Sequence, residues 1–173
     1  MPLILNVSVL LFLKQKDLLD DLLQMMLKIK GSGKSGHHLV PKREDYPAFT
    51  AYRSSPQSLS VNEIVKFDKV WTNNADGYDP SSGVFTAPLS GLYHFAAVVM
   101  SSSVGNMYLR LFHNNDNITS TRTKVKGYMT GTFDVVLTLK KEDKIYIKSG
   151  HNSQSIFSDG NNYSTFSGNL IVT

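Results

Sequence analysis

Over much of the chain, apolar and polar positions alternate with a period of two, the spacing of half-buried β-strands. Between Asn106 and His113, Met107, Leu109 and Leu111 fall on one face and Tyr108, Arg110 and Phe112 on the other. From Tyr128 to Leu139 the pattern directs Met129, Phe133, Val135, Leu137 and Leu139 inward. Thr130, Thr132, Asp134 and Thr138 point outward. Ile145 and Ile147 continue the core, with Tyr146 and Lys148 outside. Phe166, Gly168, Leu170 and Val172 form the inward face of a last strand. Gly91 to Met100 is apolar in both alternating sets, which predicts a strand covered on both faces, by a loop or by a neighbouring subunit. Shorter strands are expected at Ala48–Arg53, Ile64–Phe67, Val70–Asn74 and Val84–Thr86. Ser54–Ser60, Ser120–Gly127 and Ser149–Asn162 read as polar loops, and Lys140–Asp143 as a charged turn. About ten short strands predict an all-β, two-sheet jelly-roll sandwich.

The first third of the chain follows different rules. Residues 1–13 are apolar but too short to span a bilayer. They are either a secretory signal or the first turns of a longer helix. A basic leader and a clean cleavage site are both missing. Residues 14–30 predict a short helix without Pro or Gly, stopped at Gly31. Leu11, Leu18, Leu22, Met25 and Ile29 form a coiled-coil seam, though a generic amphipathic helix gives the same pattern. Residues 31–46 are linker-like. Gly33-Lys34-Ser35 mimics the end of a phosphate-binding loop, but Lys28 stands where the motif needs its first glycine. A globular domain is expected over residues 47–173.

Phe67 to Phe95 organises that domain. Large aromatics recur at fixed intervals, broken by the turn residues Asn73-Asn74, Asp76-Gly77 and Asp79-Pro80-Ser81-Ser82-Gly83. Five residues separate Phe67 from Asn73, four separate Asn73 from Tyr78, and six separate Tyr78 from Phe85. Gly91 follows after five more, and Tyr93 and Phe95 then alternate. This spacing resembles the signature of the globular head of complement C1q. The closing segment Ser164–Leu170, with Phe166 and Gly168, is similar to the last strand of that family. The signature's final aromatic is replaced here by Ala97. A smaller side chain there leaves core volume for another residue to fill. The resemblance implies a fold shared with tumour necrosis factor and assembly as a homotrimer. Only the N-terminal seam supports trimerisation independently. No Gly-X-Y repeat supplies a collagen stalk.

Charge and chemistry narrow the function. The chain carries a net charge of +4, but from Phe49 onward there are 11 Lys/Arg against 9 Asp/Glu. That balance does not suit a nucleic-acid binder. The chain contains no cysteine, so thiol catalysis and thiolate metal sites are excluded. His94 reads as a partly buried structural histidine. His113 and His151 lack a spaced carboxylate partner, and no nucleophile elbow is present. No enzyme activity is expected. Some C1q-like heads bind calcium through acidic loops, but the 120–127 stretch is basic, so no cofactor is expected. Arg122, Lys124 and Lys126 are instead a candidate anion-binding patch, with three solvated charges as the plain alternative. Tyr108, Arg110 and Phe112 are candidate ligand contacts, or else packing against an adjacent protomer. Asn117-Ile118-Thr119 and Asn162-Tyr163-Ser164 have the form of N-glycosylation sites, which matters only in a secreted chain.

The resemblance implies a secreted, extracellular, non-catalytic protein. Short C1q-domain proteins without collagen resemble innate-immune lectins, which implies trimeric recognition of microbial glycans, lipopolysaccharide or other anionic surfaces. A signalling ligand for a cell-surface receptor and an extracellular matrix component are the alternatives. No membrane span is expected.

Overall fold

In a computed structural model of the chain, the described residues are 46–102 and 104–173, together with Asp20. The chain divides into two compact units, Met1–Val40 and Pro41–Thr173. The candidate signal, helix and linker expected over 1–46 lie outside the described residues, except for Asp20, which is helical and exposed, and Tyr46.

Residues 46–173 are organised by β-strands. In order they are β1 (Ala48–Tyr52), β2 (Gln57–Leu59), β3 (Lys69–Asn74), β4 (Tyr78–Asp79), β5 (Val84–Thr86) and β6 (Gly91–Ser101). There follow β7 (Val104–His113), β8 (Asp116–Lys126), β9 (Thr130–Leu139), β10 (Lys144–Ser149), β11 (Gln154–Phe157) and β12 (Thr165–Val172). A seven-stranded sheet runs β2-β11-β6-β12-β1-β3, with β9 on the free edge of β6. A five-stranded sheet runs β4-β5-β10-β7-β8. All the pairings between strands are antiparallel. This is the two-sheet jelly roll that the alternation predicts.

Aromatic rings join the layers. Phe49 on β1 stacks on Tyr78 of β4, centroids 4.7 Å apart, and on Phe85 of β5 at 5.2 Å. Phe85 also meets Tyr93 and Phe95 of β6 edge-on. The signature residues therefore bridge the two sheets. Asn73 plays a different part, since its side-chain amide donates to Tyr78 O and accepts from Tyr78 N. The Tyr78 hydroxyl in turn bonds the backbone of Phe67. Gly168 is a glycine because a Cβ there would lie 2.5 Å from the Phe95 ring.

The missing aromatic at Ala97 has a structural answer. Ala97 is buried, with Phe166 directly opposite on β12 and Phe133 directly opposite on β9. Two phenyl rings flank the small side chain on its own face of the sheet.

Several boundaries differ from the sequence reading. Ser120–Gly127 is not a loop: through Lys126 it belongs to β8, where polar residues occupy an edge strand. Ser54–Ser60 contains β2 and Ser149–Asn162 contains β11, whose pairing comes from the partner strand. Ile64 makes only an isolated bridge to Lys148. Met129 precedes β9 and is exposed. A bulge between Leu170 and Val172 turns Val172 outward. On β6 the odd-numbered set is buried, but Val98 of the even set is 38% exposed, so the outer face is only partly covered within one chain.

Candidate functional site

The register of the five-stranded sheet brings Tyr108, Arg110, Phe112, Arg122 and Lys124 onto its outer face. Tyr108 lies opposite Arg122, Arg110 opposite Ser120, and Asn106 opposite Lys124. Directly opposed residues in a ladder share a face. On the other side of β7, Lys148 lies opposite Arg110 and Tyr146 opposite Phe112. What reads in sequence as a strand stripe and a separate basic loop is one continuous surface. Lys126 pairs through its backbone with Val104 at the end of the same ladder.

Aromatic and cationic groups interleave on this face. The Arg110 guanidinium lies 5.3 Å from the Phe112 ring and 6.0 Å from Tyr108. The Lys148 ammonium sits 5.0 Å from Phe112 and 4.9 Å from Tyr146, and those two rings stack at 5.6 Å. Each such contact contributes on the order of 0.5–1 kcal/mol at an exposed site. His151 covers Tyr108. The aromatic residues thus hold cations in place more than they present bare rings.

Residues that the sequence reading did not single out set this geometry. Asn62 accepts a hydrogen bond from Arg110 Nη2 at 2.8 Å. Buried Gln154 accepts from Tyr108 N and donates to Tyr108 O and His151 O. The Tyr146 hydroxyl donates to Asn114 O. Burial pushes its phenol pKa upward, so it remains a donor. Only long-range pairing exposes these roles, since Asn62 and Gln154 stand far from Tyr108 and Arg110 in sequence.

Two clefts open on the face. The smaller, of about 390 Å³, is lined by Asn106, Arg122 and Lys124. The larger, of about 660 Å³, is lined by Ile64, Val84, Asn114, Asn115, Glu142, Lys144, Tyr146 and Lys148. Beside the larger, His113 does have a carboxylate partner: its Nε2 lies 2.9 Å from Asp143 Oδ2. Asp143 also accepts from the Asn114 side chain and the Lys140 N–H, and these bonds hold its pKa down to about 2. Both carboxylate oxygens are committed to closing the turn. Among the described residues, no three His, Asp or Glu side chains converge as metal ligands.

The outer face of the seven-stranded sheet has a different character. Val98, Val136 and Ile171 are exposed there or at its end. His94 Nε2 lies 2.8 Å from Asp134 Oδ1 across the β6–β9 ladder, and His94 is partly buried, as its alternation with Tyr93 and Phe95 predicts. Tyr52 stacks on the exposed Trp71, and Tyr128, Phe157 and Tyr163 form a second ring cluster. Asn117 is exposed on edge strand β8, opposite Phe112. Asn162 is half-buried, with its N–H bonded back to Asp159 O, and the Ser164 of its triplet is fully buried.

These features match known proteins. The C1q domain family model matches residues 48–171. The chain is 31% identical over 130 residues to one complement C1q subcomponent of Rattus norvegicus, covering 72% of this chain and 50% of that protein. It is 28% identical over 131 residues to a second complement C1q subcomponent of the same organism, covering 75% of this chain and 52% of that protein. The chain spans about half the length of the curated relatives it matches. Among solved structures, the globular domain of zebrafish complement 1qA superposes with a TM-score of 0.61 at 25% identity, covering 72% of this chain and 97% of that one. The Eiger TNF of S. frugiperda gives a TM-score of 0.61 at 9% identity, covering 74% and 94%, a likeness of fold alone. With the signature residues bridging two jelly-roll sheets and the family model matching most of its length, the chain belongs to the C1q domain family.

Proposed function

We propose that this protein is a secreted, non-catalytic recognition protein that binds microbial glycans or other anionic surfaces as a homotrimer. The observation that carries the reading is the β7–β8 register, which joins Tyr108, Arg110 and Phe112 to Arg122 and Lys124 on one face. Arginine fixed by Asn62 and by neighbouring rings is suited to two-point contact with carboxylate, sulfate or phosphate. Ordering that side chain beforehand reduces the entropy lost on binding.

The two outer faces divide the work. The seven-stranded sheet exposes Val98 and Val136, which favours a second copy of the chain as its partner. The five-stranded sheet exposes charge, which favours water and ligand. Three weak sites on one trimer raise overall affinity through effective concentration.

The test is binding of the purified full chain, with its mass in solution verified, to an array of microbial glycans and lipopolysaccharides, with and without calcium. Saturable binding that is lost on dissociation to monomer supports the reading. The double variant Lys124→Glu/Lys126→Glu is expected to weaken binding with little change in melting. A folded trimer that binds no glycan on the array overturns the reading in favour of a protein receptor.

A further inference from the structure

We propose that the outer face of the five-stranded sheet is a track for a linear acidic polysaccharide running diagonally from one cleft to the other. This deepens the proposed function and rests on it. The track is Lys144, Lys148, Arg110, Arg122 and Lys124. Its ends are the two clefts: Lys144 and Lys148 line the larger, Arg122 and Lys124 the smaller. Its centre is Arg110, held by a hydrogen bond and two rings at once.

The register sets the dimensions. Lys148 lies directly opposite Arg110, one strand spacing or about 4.8 Å away. Arg122 is the diagonal neighbour of Arg110, at roughly 7–8 Å. Lys144 stands level with Asn114, one residue beyond β7, and Lys124 level with Asn106. Eight residues along this line at about 3.4 Å each, and two strand spacings across, give a track of about 29 Å. Cations repeated along such a line match a flexible polymer with regularly repeated negative groups. A single sugar reaches only one cleft.

The rest of the surface supports this occupant. Among the described residues, the carboxylates in contact with a basic side chain are Asp68 with Arg53, Asp134 with His94 and Asp143 with His113, so all five track cations remain without an acidic partner. The apolar side chains of Ile64 and Val84 wall the larger cleft, where Asn115 and Glu142 offer hydrogen bonds to hydroxyls. Single-stranded nucleic acid fits less well. It gains affinity by stacking bases on open aromatic faces, and here Tyr108, Phe112 and Tyr146 already pack against His151, Arg110, Lys148 or each other.

The test uses the full-length trimer and heparin-derived oligosaccharides of defined length, from disaccharide to dodecasaccharide. Affinity is read by calorimetry, and stoichiometry by native mass spectrometry. Affinity per protomer is expected to climb with length until the oligomer reaches about 29 Å and then to level off, at one oligomer per protomer. Lys144→Glu and Lys124→Glu, at opposite ends, are each expected to weaken the longest oligomer roughly tenfold and to flatten its salt dependence. The disaccharide should respond to at most one of them. Equal affinity for disaccharide and dodecasaccharide overturns the track while leaving acidic-glycan recognition standing. So does a dodecasaccharide indifferent to Lys144→Glu. No binding at any length by a folded trimer overturns both. Single-stranded DNA of matched length and charge binding as tightly as the oligosaccharide overturns the choice of polymer.

Discussion

Gln154 grips both backbone polar groups of Tyr108: the Gln154 side-chain carbonyl accepts from Tyr108 N, and its amide donates to Tyr108 O. The same device recurs where Asn73 holds Tyr78. In each case a side-chain amide stands in for a missing strand neighbour, because a buried backbone group must find a partner. Gln154 starts β11 in the seven-stranded sheet, whereas Tyr108 lies on β7 in the other. The clamp therefore ties the two sheets at the edge of the proposed binding face.

Replacing that amide tests the clamp. Gln154→Leu keeps the volume but leaves Tyr108 N without its acceptor, while Tyr108 O keeps the Gly150 N–H, at a cost of roughly 1–3 kcal/mol. Urea denaturation should show the loss, and acidic-glycan binding should fall with it as Tyr108 shifts. Asn73→Ala should cost a similar amount through Tyr78 while leaving binding by the folded fraction unchanged. A Gln154→Leu protein that unfolds at the parent's urea concentration would show that the clamp does not stabilise the fold.

Restoring the family aromatic at position 97 should harm this protein. Phe133 and Phe166 already flank Ala97, and both are buried. Ala97→Phe inserts a ring into a filled core, which costs about 1–3 kcal/mol. The opposite change at Phe166, to Ala, is expected to cost roughly 3–5 kcal/mol. Thermal melts of both variants check the account. An Ala97→Phe protein more stable than the parent would mean that a void remains beside Ala97.

The fold was legible because burial on one face of a strand writes itself as alternation, and because Phe67, Tyr78, Phe85, Tyr93 and Phe95 are large enough to bridge two layers. What stayed hidden has a common cause. Arg122 and Lys124 read as loop residues because an edge strand with an exposed outer face can be polar throughout that face. Their position opposite Tyr108 and Asn106 is fixed by pairing across β7 and β8. His113 found Asp143 only because β10 returns beside β7. Gln154 looks like a polar loop residue, yet it supplies hydrogen bonds to a backbone segment distant in sequence. Local pattern specifies which face is buried; it carries no record of which strand lies alongside.

Acid should loosen the turn that borders the larger cleft. Hydrogen bonds from the Asn114 side chain, the Lys140 N–H and the His113 ring lower the Asp143 carboxyl from its ordinary 3.8 to about 2. A carboxylate depressed in the folded state stabilises above its unfolded pKa, and that contribution disappears as pH falls through the folded value. The window is therefore about pH 4 down to about pH 2. Melting temperatures of the parent and Asp143→Asn should differ near neutral pH and converge across this window. A gap that stays constant through it would remove Asp143 from the acid response.

The two glycosylation triplets should behave differently because the fold treats their hydroxyl residues differently. The Ser164 hydroxyl is buried, accepting from Met100 N at 3.0 Å and donating to Phe157 O at 2.9 Å. Thr119 is only half-buried on edge strand β8. Once the sheet has formed, the Asn162 triplet is closed and the Asn117 triplet remains open. Peptide mass mapping after expression through a glycosylating secretory route should find Asn117 occupied more fully than Asn162. Thr119→Ala should remove the Asn117 glycan with little effect on melting. Ser164→Ala should cost about 1–3 kcal/mol whether or not a glycan was present, because Met100 N loses its acceptor. Asn117 faces Phe112 across the ladder, so a glycan there sits beside the cationic track. Enzymatic removal of that glycan should tighten binding to acidic oligosaccharides. Unchanged binding after complete removal would place the ligand's path on the β10 side of the face, away from Asn117.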